Sequence, residues 1–266
     1  VDIMTLPAPP SAAVQQSVDS VDAAVAVRLD PEMAMHDRRT LVLRSVRDAQ
    51  EKPPLVRRII EDVVLDIVEG RLMPGDGVNS VELARRFGTS RTPVREALGT
   101  LERQGVVVVP LRRRPYVSPV TLKQVKDVYD LRASLFSLVS ELIVDTCPKA
   151  RIAELWKWQA ALEDDIARDS VDDFFWHTVG FRLLESELAQ NDELSRCIGM
   201  LGVRTLQFRH LGLTQPGRLQ QSLADHRRLL VAYEEGDKMT AVSMTRSLIA
   251  SGYQTIIRSG YFDASA

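Results

Sequence analysis

Arginine, in three different settings, carries most of the binding chemistry that this 266-residue chain can do. Arg91 and Arg95 stand four residues apart with Ser90 and Thr92 beside them. If a helix begins there, both guanidinium groups share one face near its start, where each can grip guanine O6 and N7 in bidentate fashion. Arg112, Arg113 and Arg114 are consecutive, and such forks suit phosphate oxygens. Arg132 sits among Val125, Val128, Leu135 and Val139, an apolar stripe at helical spacing where a cation is unfavourable unless paired. It is therefore either an anchor for a bound anion or half of a structural salt bridge, and Arg182 can act likewise. Catalytic patterns are missing: there is no glycine-rich phosphate loop, no GxSxG and no HExxH.

The order of elements along the chain shows what must hold these side chains. Pro53-Pro54 precedes a run in which Leu55, Ile59, Val63 and Ile67 recur every fourth residue, an amphipathic helix ending at Gly70. Ser80 is placed to cap a short second helix through Phe87, with Gly88 at its end. Ser90 then caps a third helix running to about Gln104, in which Val94, Ala97, Leu98 and Leu101 face inward. A strand at Val106–Val109, a tip containing the arginine triplet and a return at Tyr116-Val117-Ser118 complete a hairpin. Helix, short helix, helix and basic hairpin spell a winged helix-turn-helix, whose recognition helix would begin at Ser90. Ala84, Gly88 and Val94 supply the small residue, the left-handed turn and the apolar anchor that the pair of helices needs.

After Pro119 the pattern stays helical, in six segments near 121–144, 149–168, 170–189, 191–213, 217–235 and 237–258. The fold expected is mostly α: an N-terminal winged helix-turn-helix over 51–120, then an all-α antiparallel bundle over 121–266. Residues 1–50 read as an N-terminal extension, in part disordered, with 37–50 a short strand or helix. Trp156, Trp158 and Trp176 read as packing residues.

Composition agrees with a soluble protein, at 45% hydrophobic and 26% charged residues. Net charge is −2, yet residues 80–115 hold eight arginines against three glutamates, so a +5 segment sits in an otherwise acidic chain. That split is the footprint of phosphate binding. Cys147 and Cys197 are far apart, which argues against a disulfide framework or zinc ribbon, and no apolar run reaches membrane-spanning length. With no secretory leader visible, a cytoplasmic location is expected.

The segment SRTPVREAL, preceded by ELARRFG and followed by LERQGVV and a basic hairpin, resembles the GntR family of bacterial transcriptional regulators. YDLRASL at 129–135, PGRLQQSLADHRRLL at 216–230 and EEGD at 234–237 resemble its FadR-type subgroup, whose helical domain is called FCD. The resemblance implies a homodimer that binds a double-stranded DNA operator through Ser90, Arg91, Thr92, Arg95 and the wing Arg112, Arg113 and Arg114. It also implies a repressor whose operator affinity responds to a small, carboxylate-bearing effector in the helical domain. In this chain Arg114 falls where the family's wing carries glycine. Many relatives hold a divalent metal with an aspartate and three histidines. Here His226 matches one position, and Leu248 stands where the last histidine would be. Counting back from Asn191 places Thr178 and Arg182 at the remaining two, which would leave no metal site. Helical periodicity favours Asp173 and His177 instead, on a stripe with Phe174, Phe181, Leu184 and Leu188. Both placements stand at this point, and the effector set is Arg132, Asp173, His177, Arg182 and His226. The competing classes are an architectural DNA-binding protein without an effector and, further off, an enzyme that uses the helical domain.

Overall fold

The computed structural model describes residues 30–32, 38–46 and 48–262, and the rest of the expected N-terminal extension lies outside them. The first described helix is α1 (Arg38–Ser45), which buries Leu41, Val42 and Ser45. It packs on α2 (Pro54–Val68) and on two helices of the C-terminal bundle. Within residues 37–50 the helix covers Arg38–Ser45, and Val46 and Ala49 beyond it are buried as well.

Helix α2 starts with proline in its first turn, where a missing N–H costs nothing. Ile59, Ile60 and Val63 on it are fully buried, each contributing roughly 1.5–3 kcal/mol of transfer free energy. Helix α3 (Ser80–Arg86) is capped by Asn79, whose side chain accepts from Val81 N and Glu82 N. The cap falls one residue before the expected Ser80. Gly88 adopts φ +58°, the left-handed turn joining α3 to α4 (Arg91–Arg103). Val94, Ala97, Leu98 and Leu101 of α4 are buried as the pattern required.

Strand β1 (Val107–Val108) pairs antiparallel with β2 (Tyr116–Val117), Val107 opposite Val117 and Val108 opposite Tyr116. The strands are shorter than expected, though Ser118 N still donates to Val106 O at 2.9 Å. A bridge from Gly77 to Tyr116 ties the hairpin to the segment before α3. At the wing tip it is Arg112, not Arg114, that takes the left-handed conformation, with φ +72°.

The bundle comprises α5 (Leu122–Thr146), α6 (Lys149–Ala167), α7 (Val171–Leu188), α8 (Asp192–Leu213), α9 (Arg218–Glu235) and α10 (Lys238–Arg258). Thr121 and Gln124 form a capping box at α5, and Ser170, Asn191 and Asp237 cap α7, α8 and α10. α7 is buried on nearly every side, from Phe174 through Arg182 and beyond. It lies so close to α6 that a Cβ on Gly180 would overlap the Trp158 ring. The N-terminal unit, α2 to the hairpin, and the bundle meet where α8 touches α2 and where α1 touches both. No helix among the described residues is long and apolar enough to cross a membrane.

Candidate functional site

The start of α4 presents an open cationic surface. Ser90, Arg91, Thr92 and Arg95 are all exposed, as are Arg112, Arg113 and Arg114 on the hairpin tip. None of these five arginines has an ion-pair partner among the described residues. Arg86, by contrast, is tied to Asp62 at 2.8 Å and to Asp66 at 3.1 Å on α2. The helix end and the wing are thus left with donors that only an outside acceptor can fill. Ser90 occupies the cap position without bonding the helix, so its hydroxyl is also open.

The second constellation is interior. Arg132 from α5, Thr178 and Arg182 from α7, Arg209 from α8 and Arg218, Ser222 and His226 from α9 line one cavity of about 60 Å³. A second lobe of about 290 Å³ shares Arg132, Arg182 and Arg209 and reaches Arg44 and Ser45 of α1. Arg132 is buried, and its guanidinium lies over the rings of Tyr129 and Phe136 at 5.7 and 5.4 Å. Its one hydrogen-bond donation among the described residues goes to Thr205, at 3.1 Å. Arg182 is held by Glu185 at 2.6 Å, and Glu185 also accepts from the Tyr233 hydroxyl at 2.8 Å. Arg209 lies over Phe175 at 5.7 Å.

Burial, with Arg132 nearby, pushes the Arg209 guanidinium down to about 9. Burial likewise lowers Arg132 and Arg218. The His226 imidazole is pushed to about 3, by burial first and then by Arg182. Its Nδ1 lies 2.7 Å from Ser222 O, and a carbonyl can only accept. The proton is therefore on Nδ1, and Nε2 carries a lone pair. Arg132 Nε, Arg182 Nη2, Arg218 Nη1 and His226 Nε2 are all buried without a hydrogen-bond partner among the described residues. Unsatisfied buried nitrogens are rare, and four of them around one cavity leave hydrogen-bonding capacity that a molecule entering it could complete.

Asp173 and His177 are not in this cavity. His177 Nδ1 meets Asp165 Oδ2 at 2.5 Å, and its Nε2 lies 3.3 Å from Pro31 O. Asp173 pairs with Arg38 at 2.7 Å and Arg168 at 3.3 Å. Burial opposes its ionisation, but Ser170 and Arg38 together hold its carboxyl below the usual range. The set that faces His226 is Thr178 and Arg182, with Leu248 on the same wall. A divalent metal does not fit there. Its neighbours would be four guanidinium groups and one imidazole, with no carboxylate among the lining residues. Among the described residues no group of three or more His, Cys, Asp or Glu side chains is placed to hold a metal.

Arg209, Arg218 and Ser222 escaped the sequence reading. Arg218 follows the helix-opening Gly217, and Ser222 and His226 succeed it at four-residue intervals on α9. That spacing was the available signal. Arg209 gave none, since it lies among mixed residues near the end of α8.

Comparison with known proteins follows the same division. Residues 55–117 match the family model for bacterial regulatory proteins of the gntR family, and residues 127–251 match the FCD domain. The HTH-type transcriptional regulator YdhC of Bacillus subtilis is 27% identical over 176 residues, covering 66% of this chain and 79% of its own. The HTH-type transcriptional repressor RspR of Escherichia coli is 23% identical over 184 residues, covering 69% and 81%. Among solved structures, E. coli McbR/YncC superposes with a TM-score of 0.67 at 23% identity, covering 78% of this chain and 99% of that one. That likeness supports the fold.

Proposed function

This chain belongs to the GntR family of bacterial transcriptional regulators, in the branch that carries an FCD domain, and from that premise we propose that it is an effector-responsive repressor. It is a regulator and not an enzyme. In this reading Arg91, Thr92 and Arg95 read base edges in the major groove, with Ser90 and the wing arginines Arg112, Arg113 and Arg114 on backbone or minor groove. A homodimer sets two such helices on half-sites about one DNA turn apart. Relatives named as repressors support the sign of regulation. Arg132, Arg182 and His226 form the effector site, together with Arg209 and Arg218.

The observation that carries the reading is the set of four unpartnered buried nitrogens around one cavity, in a chain whose exposed arginines at the start of α4 and the wing tip also lack ion-pair partners among the described residues. The cavity's outer lobe is bounded by Arg44 and Ser45 of α1, and Arg38 and Arg39 of α1 pair with Glu69 and Glu61 at the DNA-reading unit. A ligand that favours one seating of α1 therefore biases the unit attached to it. Operator affinity shifts only by the ligand's differential affinity for the two arrangements.

The test selects an operator from a random duplex pool and titrates it against salt. Wild-type protein is expected to bind with a steep negative salt slope that falls by about one per phosphate-contacting arginine removed from the wing. Selection that enriches no sequence would overturn the reading of Arg91 and Arg95 as specific contacts.

A further inference from the structure

The cavity specifies its ligand more closely than as a carboxylate. Four guanidinium groups line it, and the acids near them are Glu185, paired with Arg182, and Asp225, close enough to Arg218 to act on it electrostatically. Arg132 and Arg209 have no carboxylate partner among the described residues. Asp225 is further shared with Arg228 at 3.6 Å. Two positive charges therefore lack a carboxylate: Arg132 in the buried interior, where an unpaired charge is strongly unfavourable, and Arg209, half-buried at the cavity wall. The aromatic faces of Tyr129, Phe136, Phe175 and Phe181 cradle these cations without neutralising them. His226 adds a different demand. With Nδ1 donating to Ser222 O, its Nε2 is an acceptor, and an anionic oxygen set against it would repel its lone pair. A hydrogen-bond donor on the ligand would satisfy it.

We infer that the effector is a compact dianion that also carries a hydroxyl group, either two carboxylates on a short skeleton or one phosphate monoester. Arg132, Arg182, Arg209 and Arg218 take its oxygens directly, without a metal ion, and its hydroxyl donates to His226 Nε2. Two charges balance the two uncompensated guanidinium groups. The inner lobe holds a few non-hydrogen atoms, and the larger lobe beyond the shared arginines takes the remainder. This inference rests on the reading of the cavity as the effector site.

Calorimetric titration of the full chain with malate, succinate, lactate, glycerol 3-phosphate and decanoate, each with and without EDTA, tests it beside an operator-binding assay. Malate or glycerol 3-phosphate is expected to bind at least tenfold tighter than lactate, and the tighter of the two identifies the anion's source. Malate should exceed succinate at least fivefold, and EDTA should change neither. His226→Phe should abolish the preference for malate over succinate. Lactate binding as well as malate would overturn the charge count. Succinate equal to malate in wild-type protein would overturn the hydroxyl, and loss of binding in EDTA would overturn direct capture by arginine. If no dianion binds while decanoate binds and releases operator, the ligand class falls and the regulator reading stands. If malate binds as described but operator affinity does not move, the ligand class stands and the regulator reading falls.

Discussion

Arg91, Arg95 and the wing arginines stand in solvent, whereas Arg132, Arg182 and Arg218 are buried around a cavity, and neither group is fully satisfied within the fold. Under the proposed function the same side chain serves two kinds of recognition. On the surface a free guanidinium is hydrated and adds little to instability, so its contribution appears only when DNA supplies acceptors. In the interior a guanidinium without an acid is unfavourable at all times, and the fold retains it against that penalty. Surface arginines should therefore be removable at the expense of DNA binding alone. Interior ones should exchange stability against response.

The largest effect expected falls on the surface. Arg91→Ala with Arg95→Ala should weaken operator binding by about 1–3 kcal/mol for each lost bidentate contact, with the melting temperature unchanged. Competition between operator and random duplex measures it. A fall in melting temperature of several degrees would blur the contrast, because it would make these residues structural.

Next in size is the interior counterpart. Arg132→Met replaces a buried, acid-free cation with an apolar chain of similar length. It should raise the unliganded protein's stability by about 1–4 kcal/mol in chemical denaturation while abolishing the effector response. A clear destabilisation would mean that Arg132 is a structural tie and would remove the contrast.

His226 supplies a smaller, pH-dependent term. Its folded pKa of about 3 lies below the unfolded value of 6.5, so the unfolded chain binds the extra proton as pH falls. The stability held above pH 6.5 is lost progressively between 6.5 and 3, by about 2 kcal/mol between pH 6.5 and 5. His226→Phe should flatten that part of the stability profile. A profile identical to wild type would show that the buried ring does not set it.

The smallest effect is at the wing tip. Arg112→Gly relieves a left-handed conformation and should stabilise the hairpin by about 1 kcal/mol, while weakening binding to all duplexes alike. Equal affinity for DNA would place Arg112 outside the interface.

The two regions also differed in how much of each could be read from the sequence. In the DNA-reading unit the determinants are local: Gly88 for the turn, Val94 to Leu101 for the inward face, and arginines within a single helix or hairpin. Small displacements remained, with Asn79 capping instead of Ser80 and Arg112 in place of Arg114 at positive φ. The cavity draws on α5, α7, α8, α9 and α10, so its members are scattered from Tyr129 to Thr255. Periodicity favoured Asp173 and His177 because Phe174, Phe181 and Leu184 mark an apolar stripe. α7 is buried nearly all round, however, and on such a helix a stripe cannot choose a face. Thr178 and Arg182 share the cavity with His226, while Asp173 is engaged by Arg38 from α1. No spacing within α7 reveals a partner that arrives from another segment.

Communication between buried and exposed arginines is measured directly by operator affinity as the cavity fills. In fluorescence anisotropy at fixed salt, a saturating dianion should change wild-type operator affinity by about 5–150-fold and then plateau. Arg132→Met should stay at the unliganded value throughout. An operator affinity that is the same with the cavity empty and full, while calorimetry shows the anion bound, would contradict the account.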